Sequence, residues 1–377
     1  MNIGDYKSGT LKQQYHYKSF MPTLISHEWE ISDSSLVLLL SQADIKLGEL
    51  NAFSQLVPNV DFFIMMHISK EATSSSRIEG TQTNIEEALQ KVEYIDPERR
   101  NDWEEVQNYI TAMNEAIAAL DRLPVSNRLL MEVHKTLLQD VRGKHKQPGE
   151  FRRSQNWIGG ASLNDAVFIP PYHEDVPTLM ADLEKFLNDE TMPVPDLIKI
   201  AISHYQFETI HPFLDGNGRL GRLLITLYLV SRGLLVKPTL YLSAFFEKHK
   251  SLYYDNLMHV RTHHDLAQWI RFFLEGIRQI SENSIQTFKS IINLRQECEK
   301  KIFSLGKKAK TAQALLDYLY RKPIIDSQDA TLALCVDRST ALRLIEDFIN
   351  LQVLEEITGH KRNRVFSFTQ YVRLFDR

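Results

Sequence analysis

The residues with the clearest potential for chemistry lie within one short stretch, residues 211–222. It reads His211-Pro212-Phe213-Leu214-Asp215-Gly216-Asn217-Gly218-Arg219-Leu220-Gly221-Arg222. The stretch combines a potential base, a carboxylate, an amide, loop glycines and two guanidinium groups. Glycine lets a backbone curl closely around an anion, and the apolar run 220–230 behind the glycines predicts a helix. Unpaired N–H groups at a helix start attract phosphate, so the stretch predicts a phosphate-binding site.

The order of these side chains suggests a role for each. Arg219 and Arg222 are three residues apart, so on a helix they project from one face and can hold two oxygens of a polyphosphate. Asp215 is a lone carboxylate, and Mg²⁺ beside a nucleotide is often held by one such ligand. His211 remains as a general base, because an ordinary histidine pKa of about 6.5 suits proton transfer at neutral pH.

Each part of the stretch also has a simpler interpretation. A lone histidine before a proline is often structural, Gly-Asn-Gly is often a turn, and paired helical arginines are usually solvated. The combination ahead of an apolar helix favours the anion site. The stretch is not a Walker P-loop, which would end in Gly-Lys-Ser/Thr. It is not a Rossmann fingerprint either, because that would need a strand in front, whereas residues 204–210 have apolar side chains at helical spacing.

The stretch resembles the signature of the Fic family, His-x-Phe-x-Asp/Glu-Gly-Asn-Gly-Arg-x-x-Arg, at every fixed position. The resemblance implies transfer of AMP from ATP to a Ser, Thr or Tyr hydroxyl of a target protein, with release of pyrophosphate. It implies that His211 is the base and Asp215 the Mg²⁺ ligand. It also implies that the Asn217 side chain and the backbone amides of its two neighbours form an anion hole, and that Arg219 and Arg222 hold the β and γ phosphates. The implied nucleotide-binding residues are Gly216, Asn217, Gly218, Arg219, Leu220 and Arg222.

A second segment, Ser75-x-x-x-Glu79-Gly80, resembles the inhibitory-helix pattern of the same family. In that family the glutamate pairs with the second arginine, here Arg222, and keeps the γ phosphate of ATP out of the productive position. A carboxylate and a phosphate oxygen cannot share one guanidinium fork. In related proteins this glutamate can also orient water for AMP removal, so Glu79 is a candidate for the reverse reaction. The simpler alternative is a serine-rich helix start followed by a glycine C-cap.

A hairpin is expected at residues 155–171, with strands at 157–160 and 166–169 around polar turn residues. In Fic proteins this place holds a flap whose backbone pairs with the target segment, and the resemblance puts Val167 and Phe168 at the docking positions. An ordinary surface hairpin is the alternative.

Tyr253 and Tyr254 resemble a family pair near the adenine pocket. The resemblance makes both tyrosines candidates for nucleotide binding. An aromatic pair on an amphipathic helix is, however, usually part of a core.

Composition places wider limits on the protein. The 377 residues are 43% hydrophobic and 24% charged, as in ordinary soluble proteins. The net charge of −4 gives no polyanion-binding footprint. Cys298 and Cys335 lack a metal-ligand or Cys-x-x-Cys neighbour, which is typical of idle thiols in a reducing compartment. With no secretory apolar region at 1–17 and no membrane-length apolar run, the sequence predicts a cytoplasmic protein without a membrane partner.

The C-terminal part differs from the rest in charge and pattern. Spacing predicts helices at 311–320, 327–334 and 338–351, then strands at 353–357 and 365–368. This order looks like a winged helix, with basic residues on its recognition helix and wing: Arg338, Arg343, Lys361, Arg362 and Arg364. From residue 301 onward there are 13 Lys/Arg against 9 Asp/Glu. This surplus of four is small beside the roughly six to ten phosphate contacts of tight DNA binders, so weak nucleic-acid contact and protein contact both stay open.

The sequence therefore predicts a mainly α protein with further helices at 36–56, 64–71, 85–92, 103–120 and 126–139. We expect an N-terminal helical region with the inhibitory helix at 1–100, a Fic-type helical core with a β-hairpin flap at 101–290, and a winged helix at 300–377.

The expected function is a self-inhibited protein AMP-transferase that uses ATP and Mg²⁺ on a protein target, itself included, with a homodimer as a further expectation. Two alternatives remain. One is transfer of UMP, phosphocholine or phosphate on the same scaffold, although an intact Arg222 argues against a kinase-like branch. The other is a transcription regulator that senses nucleotide, which would leave His211 unexplained, because binding alone needs no general base.

Overall fold

The computed structural model describes residues 1–56, 60–139, 141, 145–360 and 362–375. Helices account for most of this part of the chain, which confirms the predicted mainly α class. Helices α1 to α8 are Ser34–Leu56, Asp61–Ile78, Ile85–Ala88, Arg100–Ala119, Asn127–Leu137, Val176–Asn188, Asp196–Ile210 and Asn217–Ser231. Helices α9 to α15 are Ser243–Lys248, Lys250–His263, Leu266–Phe303, Ala309–Arg321, Ser327–Leu334, Arg338–Asn350 and Thr369–Val372. Strands β1 to β5 are Gly9–Gln13, Lys18–Pro22, Ile324–Asp326, Glu355–Glu356 and Val365–Ser367.

The centre of the fold is the helix pair α7 and α8. Every residue of α7 from Leu197 to Ile210 is buried. A helix that is buried on all sides belongs in the middle of a bundle. Helices α4, α5 and α2 pack on α8, while α6 and the 38-residue helix α11 pack on α7. The motif spans the loop between α7 and α8 and the first turns of α8, so both ends of the loop are fixed by buried helices.

Helix α2 is longer than the sequence predicted. It continues past residue 71 through the serine-rich run and ends at Ile78. Hydroxyls within the run bond to the carbonyl one turn back, as Thr73 does to Ser69 at 2.9 Å, so they stay compatible with a helix. The serines therefore lie at the end of the helix and not at its start.

The expected hairpin before the motif is only partly formed. Its two arms meet at one antiparallel bridge between Ile158 and Phe168. Gly159 and Gly160 follow with φ of 70° and 72°, a left-handed conformation that interrupts a strand at once. The N-terminal hairpin of β1 and β2, which the sequence did not predict, lies beside this flap, since the Phe20 N–H donates to the Ile169 carbonyl at 2.9 Å.

The C-terminal region has the predicted helices α12, α13 and α14 and a small antiparallel sheet in the order β3–β5–β4. Strand β3 was not predicted. The elements occur in the order expected for a winged helix. Arg338 and Arg343 are exposed, Arg364 lies 3.9 Å from Glu346, and Lys361 is outside the described residues. Contact with nucleic acid stays a prediction.

The C-terminal region packs directly on helix α2. The ring of Phe63, in the first turn of α2, lies 5.4 Å from the ring of Tyr320 and 6.4 Å from that of Tyr371. A salt bridge of 2.6 Å also joins Lys91 to Asp326. The helix that ends beside Glu79 is thus held at its other end by the C-terminal region.

Candidate active site

The motif loop is closed by its own asparagine. Helix α7 ends at Ile210, and Gly216, with φ of 76°, precedes α8. The Asn217 side chain accepts from the Phe213 N–H and donates to the Phe213 carbonyl, both at 2.8 Å. This amide is therefore engaged inside the loop, where it fixes the backbone from Phe213 to the start of α8. The buried Phe213 ring stacks on His134 at 3.8 Å, which anchors the loop in the core.

His211 lies at the junction of α7 and the loop, in a left-handed conformation with φ of 51°. Its Nδ1 is buried and has no hydrogen-bond partner among the described residues. Burial lowers the pKa of His211 to about 3, and the positive charges of Arg261 and Arg152 act in the same direction. The imidazole is thus neutral at physiological pH and can accept a proton, with a pKa well below the ordinary value that the sequence suggested.

Two residues that the sequence did not single out hold the His211 backbone. Arg152, only 2% exposed, donates from Nε to the His211 carbonyl at 3.0 Å and from Nη2 to the Pro171 carbonyl. Asn156 donates to the carbonyls of His211 and Phe213 at 3.2 and 2.9 Å. Nothing in the sequence marks an arginine as buried, so this support could only be found in the structure.

Each motif arginine already has a carboxylate partner. Arg219 lies 3.2 Å from Glu105 and 3.8 Å from Asp215. Arg222, which is 2% exposed, donates from Nη2 to a Glu79 carboxylate oxygen at 2.7 Å. The two guanidinium groups sit on the first turns of α8 as expected, and each forms a charge-assisted contact of the kind that a phosphate oxygen would make.

The predicted inhibitory residues meet Arg222 directly. The Ser75 hydroxyl accepts from Arg222 Nε at 2.9 Å, and the Ser75 carbonyl accepts from Nη2 at 2.9 Å. Burial acts to raise the pKa of Glu79, but the charge of Arg222 outweighs it and the pKa is lowered. Glu79 caps the C-terminus of α2, and Gly80 turns the chain away with φ of 107°. The carboxylate therefore stays ionised on the guanidinium at neutral pH.

Gly218 leaves the space that the Glu79 carboxylate occupies. A Cβ atom at position 218 would overlap a Glu79 carboxylate oxygen and would lie 2.9 Å from Arg222 Nη1. A phosphate oxygen needs the same open approach to the helix start. Gly218 therefore leaves room for a phosphate oxygen, and in this structure the Glu79 carboxylate occupies that room.

Glu208 is a further buried carboxyl group beside the motif that the sequence did not reveal. It is 6% exposed, and its Oε1 atom has no partner among the described residues. Burial raises its pKa to about 7, although Arg222 partly offsets this effect. A Cβ atom at position 221 would overlap this carboxyl group, which explains why a glycine stands there.

Asp215 is well placed to take part in a metal site. Its side chain is 44% exposed, and one of its oxygens accepts from the Gly216 N–H at 2.6 Å. Among the described residues, no group of three or more potential metal-binding side chains occurs. A single exposed carboxylate fits Mg²⁺ that is held mainly by phosphate oxygens and water.

The two tyrosines proposed near the adenine pocket have different surroundings. Tyr253 is 1% exposed, donates its hydroxyl to His204 at 2.9 Å, and stacks on Phe246 at 4.5 Å. It is a core residue here. Tyr254 is 40% exposed, and burial together with the Glu79 charge raises its pKa. Tyr254 is therefore partly exposed and close enough to feel the Glu79 charge, while Tyr253 is buried against His204.

The flap residues also point in opposite directions. Val167 is 64% exposed, as a docking position requires. Phe168 is 7% exposed, and its ring lies under the Arg261 guanidinium at 3.9 Å. Arg261 in turn donates to the Glu208 carbonyl at 3.1 Å and to the Thr209 hydroxyl at 3.2 Å. Phe168 thus ties the flap to the end of α7, two residues before His211.

Comparison with known proteins gives a consistent result. The model of the Fic/DOC family N-terminal region matches residues 37–118, and that of the Fic/DOC family matches residues 124–229. A Culex quinquefasciatus protein named protein adenylyltransferase Fic is 34% identical over 148 residues, which are 39% of this chain and 26% of that protein. The Drosophila melanogaster protein of the same name is 28% identical over 183 residues, 48% of this chain and 34% of that protein. The chain thus matches about a quarter to a third of the length of these relatives.

Solved structures show the same fold. A Fic family protein from Desulfovibrio desulfuricans G20 superposes with a TM-score of 0.56 at 20% identity, over 89% of this chain and 96% of that one. A Fic domain-containing signaling protein from Bacteroides thetaiotaomicron gives 0.53 at 19% identity, over 67% and 97%. In the described part of this chain, no helix combines the length and apolar character that a membrane crossing needs.

Proposed function

The chain belongs to the Fic/DOC family, and on this premise we propose that it is a protein adenylyltransferase that Glu79 inhibits. The observation that carries the proposal is the 2.7 Å salt bridge between Glu79 and Arg222. Arg222 lies on α8, the helix that starts at the glycine-rich loop beside His211. A buried guanidinium at that position suits a phosphate, and here a carboxylate of the same chain occupies it.

ATP would bind with its phosphates over the first turn of α8. The backbone amides at the start of the helix and the positive end of its dipole would attract the phosphates, and Arg219 and Arg222 would hold the terminal ones. Asp215 would hold Mg²⁺, which neutralises phosphate charge when bound. The phosphate charge would raise the pKa of His211 from about 3, so the base becomes stronger once the substrate is in place.

The reaction then needs one proton transfer and one displacement. His211 accepts the proton of the target hydroxyl, and the hydroxyl oxygen forms a bond to the α phosphorus of ATP. The bond from the α phosphorus to the bridging oxygen breaks, and pyrophosphate leaves. Arg152 and Asn156 act as positioning residues, because both hold the His211 carbonyl and with it the ring.

Inhibition follows from competition for one guanidinium. While Glu79 and Ser75 occupy Arg222, the γ phosphate cannot reach it and ATP is held in an unproductive position. Release requires Glu79 and Ser75 to leave the Arg222 guanidinium. Removal of AMP through a water oriented by Glu79 stays a prediction of the same site.

The target protein would dock along the flap. The exposed Val167 side chain lies next to Phe168, the residue that bridges to Ile158. Pairing through the main chain supplies register, so the acceptor hydroxyl would be presented to His211 with little side-chain selectivity.

The proposal can be tested with ATP labelled at the α phosphate. Wild type, Glu79→Gly and Glu79→Gly/His211→Ala are incubated with Mg²⁺ and labelled ATP, and the intact mass of each protein is measured. We expect a gain of one AMP in Glu79→Gly alone. Absence of label on every form, with ATP binding intact, would refute AMP transfer and favour another donor or a nucleotide-sensing role.

A further inference from the structure

Two buried carboxyl groups lie on one face of helix α8, in the gaps left by two glycines. The Glu79 carboxylate lies over Gly218 and the Glu208 carboxyl group lies over Gly221, since a Cβ atom at either position would overlap the group beside it. Positions three apart on a helix share a face, with roughly 5–6 Å between their Cβ positions. The two carboxyl groups therefore lie about one helical turn apart on the helix that carries Arg222.

The two carboxyl groups differ in their partners. Glu79 accepts from Arg222 Nη2 at 2.7 Å, whereas Glu208 Oε1 is buried and has no hydrogen-bond partner among the described residues. An ionised carboxylate is costly to bury without a donor, and a neutral carboxyl group is much less so. The arrangement therefore favours a charge on Glu79 and a proton on Glu208.

The electrostatic surroundings of Glu208 come from three neighbouring helices. Burial has the largest effect on the pKa of Glu208 and raises it to about 7. Arg222 on α8 and Arg261 on α10 act to lower this pKa, whereas Glu79 at the end of α2 acts to raise it. Burial also keeps the nearby tyrosines of α10 neutral by raising their pKa: Tyr253 and Tyr254. Because the interaction of two charges is reciprocal, an ionised Glu208 must destabilise the charge of Glu79 at Arg222.

We propose that Glu208 is a positioning residue that sets the strength of inhibition through a single proton. While Glu208 carries the proton, the guanidinium of Arg222 attracts the Glu79 carboxylate without a competitor. When the proton passes to solvent, the Glu208 carboxylate repels Glu79 and competes with it for the charge of Arg222. Glu79 then leaves the guanidinium more readily, and inhibition weakens as the pH rises through about 7. Because it regulates the same site, this role of Glu208 rests on the proposed function.

The first test is the initial rate of AMP transfer at pH 6, 7 and 8. The wild-type rate should rise roughly three- to tenfold from pH 6 to 8, which is the size of effect that a neighbouring like charge exerts. Glu208→Gln copies the shape of the protonated group, so its rate should stay near the wild-type value at pH 6. Glu208→Asp keeps a carboxyl group that titrates and should restore a rise.

Two controls separate this effect from a general pH dependence. Glu79→Gly should change little with pH, because no salt bridge remains to be weakened. Glu86→Gln removes an exposed carboxylate of α3 and should behave as wild type does. Equal pH profiles for wild type and Glu208→Gln overturn the proposal, and so does a rise in Glu79→Gly as large as that in wild type.

The second test follows the proton itself by infrared difference spectroscopy, which does not depend on activity. Between pH 8 and 6, wild type should gain a larger C=O stretching band of protonated carboxyl groups than Glu208→Gln does. In Glu79→Gly this band should appear at lower pH, because the charge that raises the pKa of Glu208 has gone. Identical bands in wild type and Glu208→Gln overturn the role of Glu208. If Glu79→Gly transfers no AMP at any pH, the proposed function fails, while the infrared result stands independently.

Discussion

The most direct test of inhibition is to remove the Glu79 charge while keeping its shape. In Glu79→Gln, the Arg222 guanidinium exchanges the ion-paired hydrogen bond of 2.7 Å to a carboxylate for a weaker bond to a neutral amide oxygen. The ion-paired bond contributes about 1.5–3 kcal/mol. Because the Glu79 side chain is 38% exposed, solvent screening reduces this to about 1–2 kcal/mol. The population with a free Arg222 should therefore rise roughly 5- to 30-fold.

The assay is the initial rate of AMP transfer at ATP concentrations well below saturation. Ser75→Ala provides a graded comparison, because it removes only the hydroxyl that accepts from Arg222 Nε and leaves the Ser75 carbonyl contact in place. A neutral hydrogen-bond partner of this kind is worth about 1 kcal/mol, so we expect a rise of about fivefold. Glu86→Gln serves as the matched control, since Glu86 is an exposed carboxylate of the neighbouring helix α3.

The order of the rates decides the outcome. We expect Glu79→Gln to exceed Ser75→Ala, and both to exceed wild type and Glu86→Gln. Equal rates for Glu79→Gln and wild type would refute the competition argument. A larger effect of Ser75→Ala than of Glu79→Gln would show that helix α2 is loosened as a whole, and that the carboxylate is not the competing group.

Further outcomes follow from the active site and from the buried His67. Adding His211→Ala to Glu79→Gly should lower AMP transfer about 10²- to 10⁴-fold with ATP binding retained. Because the His211 pKa is about 3, kcat/KM of Glu79→Gly should change less than about threefold from pH 8 to 5. A base with an ordinary histidine pKa would lower kcat/KM about 30-fold over the same range. Asp215→Ala should raise the Mg²⁺ concentration needed for half-maximal transfer, as a Mg²⁺ titration would show. Burial lowers the pKa of His67 to about 3, so the unfolded chain binds a proton below about pH 6.5 that the folded chain does not, and stability falls as pH falls. The free energy of unfolding, measured with urea, should fall between pH 7 and 5.5, and this decrease should be about 1 kcal/mol smaller in His67→Gln than in wild type.

The order of residues was enough to predict how the side chains of the motif are arranged. Helical spacing is a local property, so the positions of Arg219 and Arg222 on one helix and of Gly216 before it could be predicted from the order of residues. The mainly α class followed from apolar periodicity in the same way, and the helix predicted at 220–230 is present as Asn217–Ser231, which begins three residues earlier than expected. The short strand β3 and the hairpin of β1 and β2 were missed, because brief strands carry little periodicity and depend on partners distant in the chain.

The contacts of those side chains depend on segments that are distant along the chain. Glu79 and Arg222 are 143 positions apart, and packing of α2 against α8 brings them to 2.7 Å. The pKa of His211 depends on burial and on Arg152 and Arg261, which no local pattern reveals. Tyr253 became a core residue for the same reason. Spacing along a helix fixes the direction in which each side chain projects. Desolvation and ion pairs between distant residues arise only when distant segments pack together.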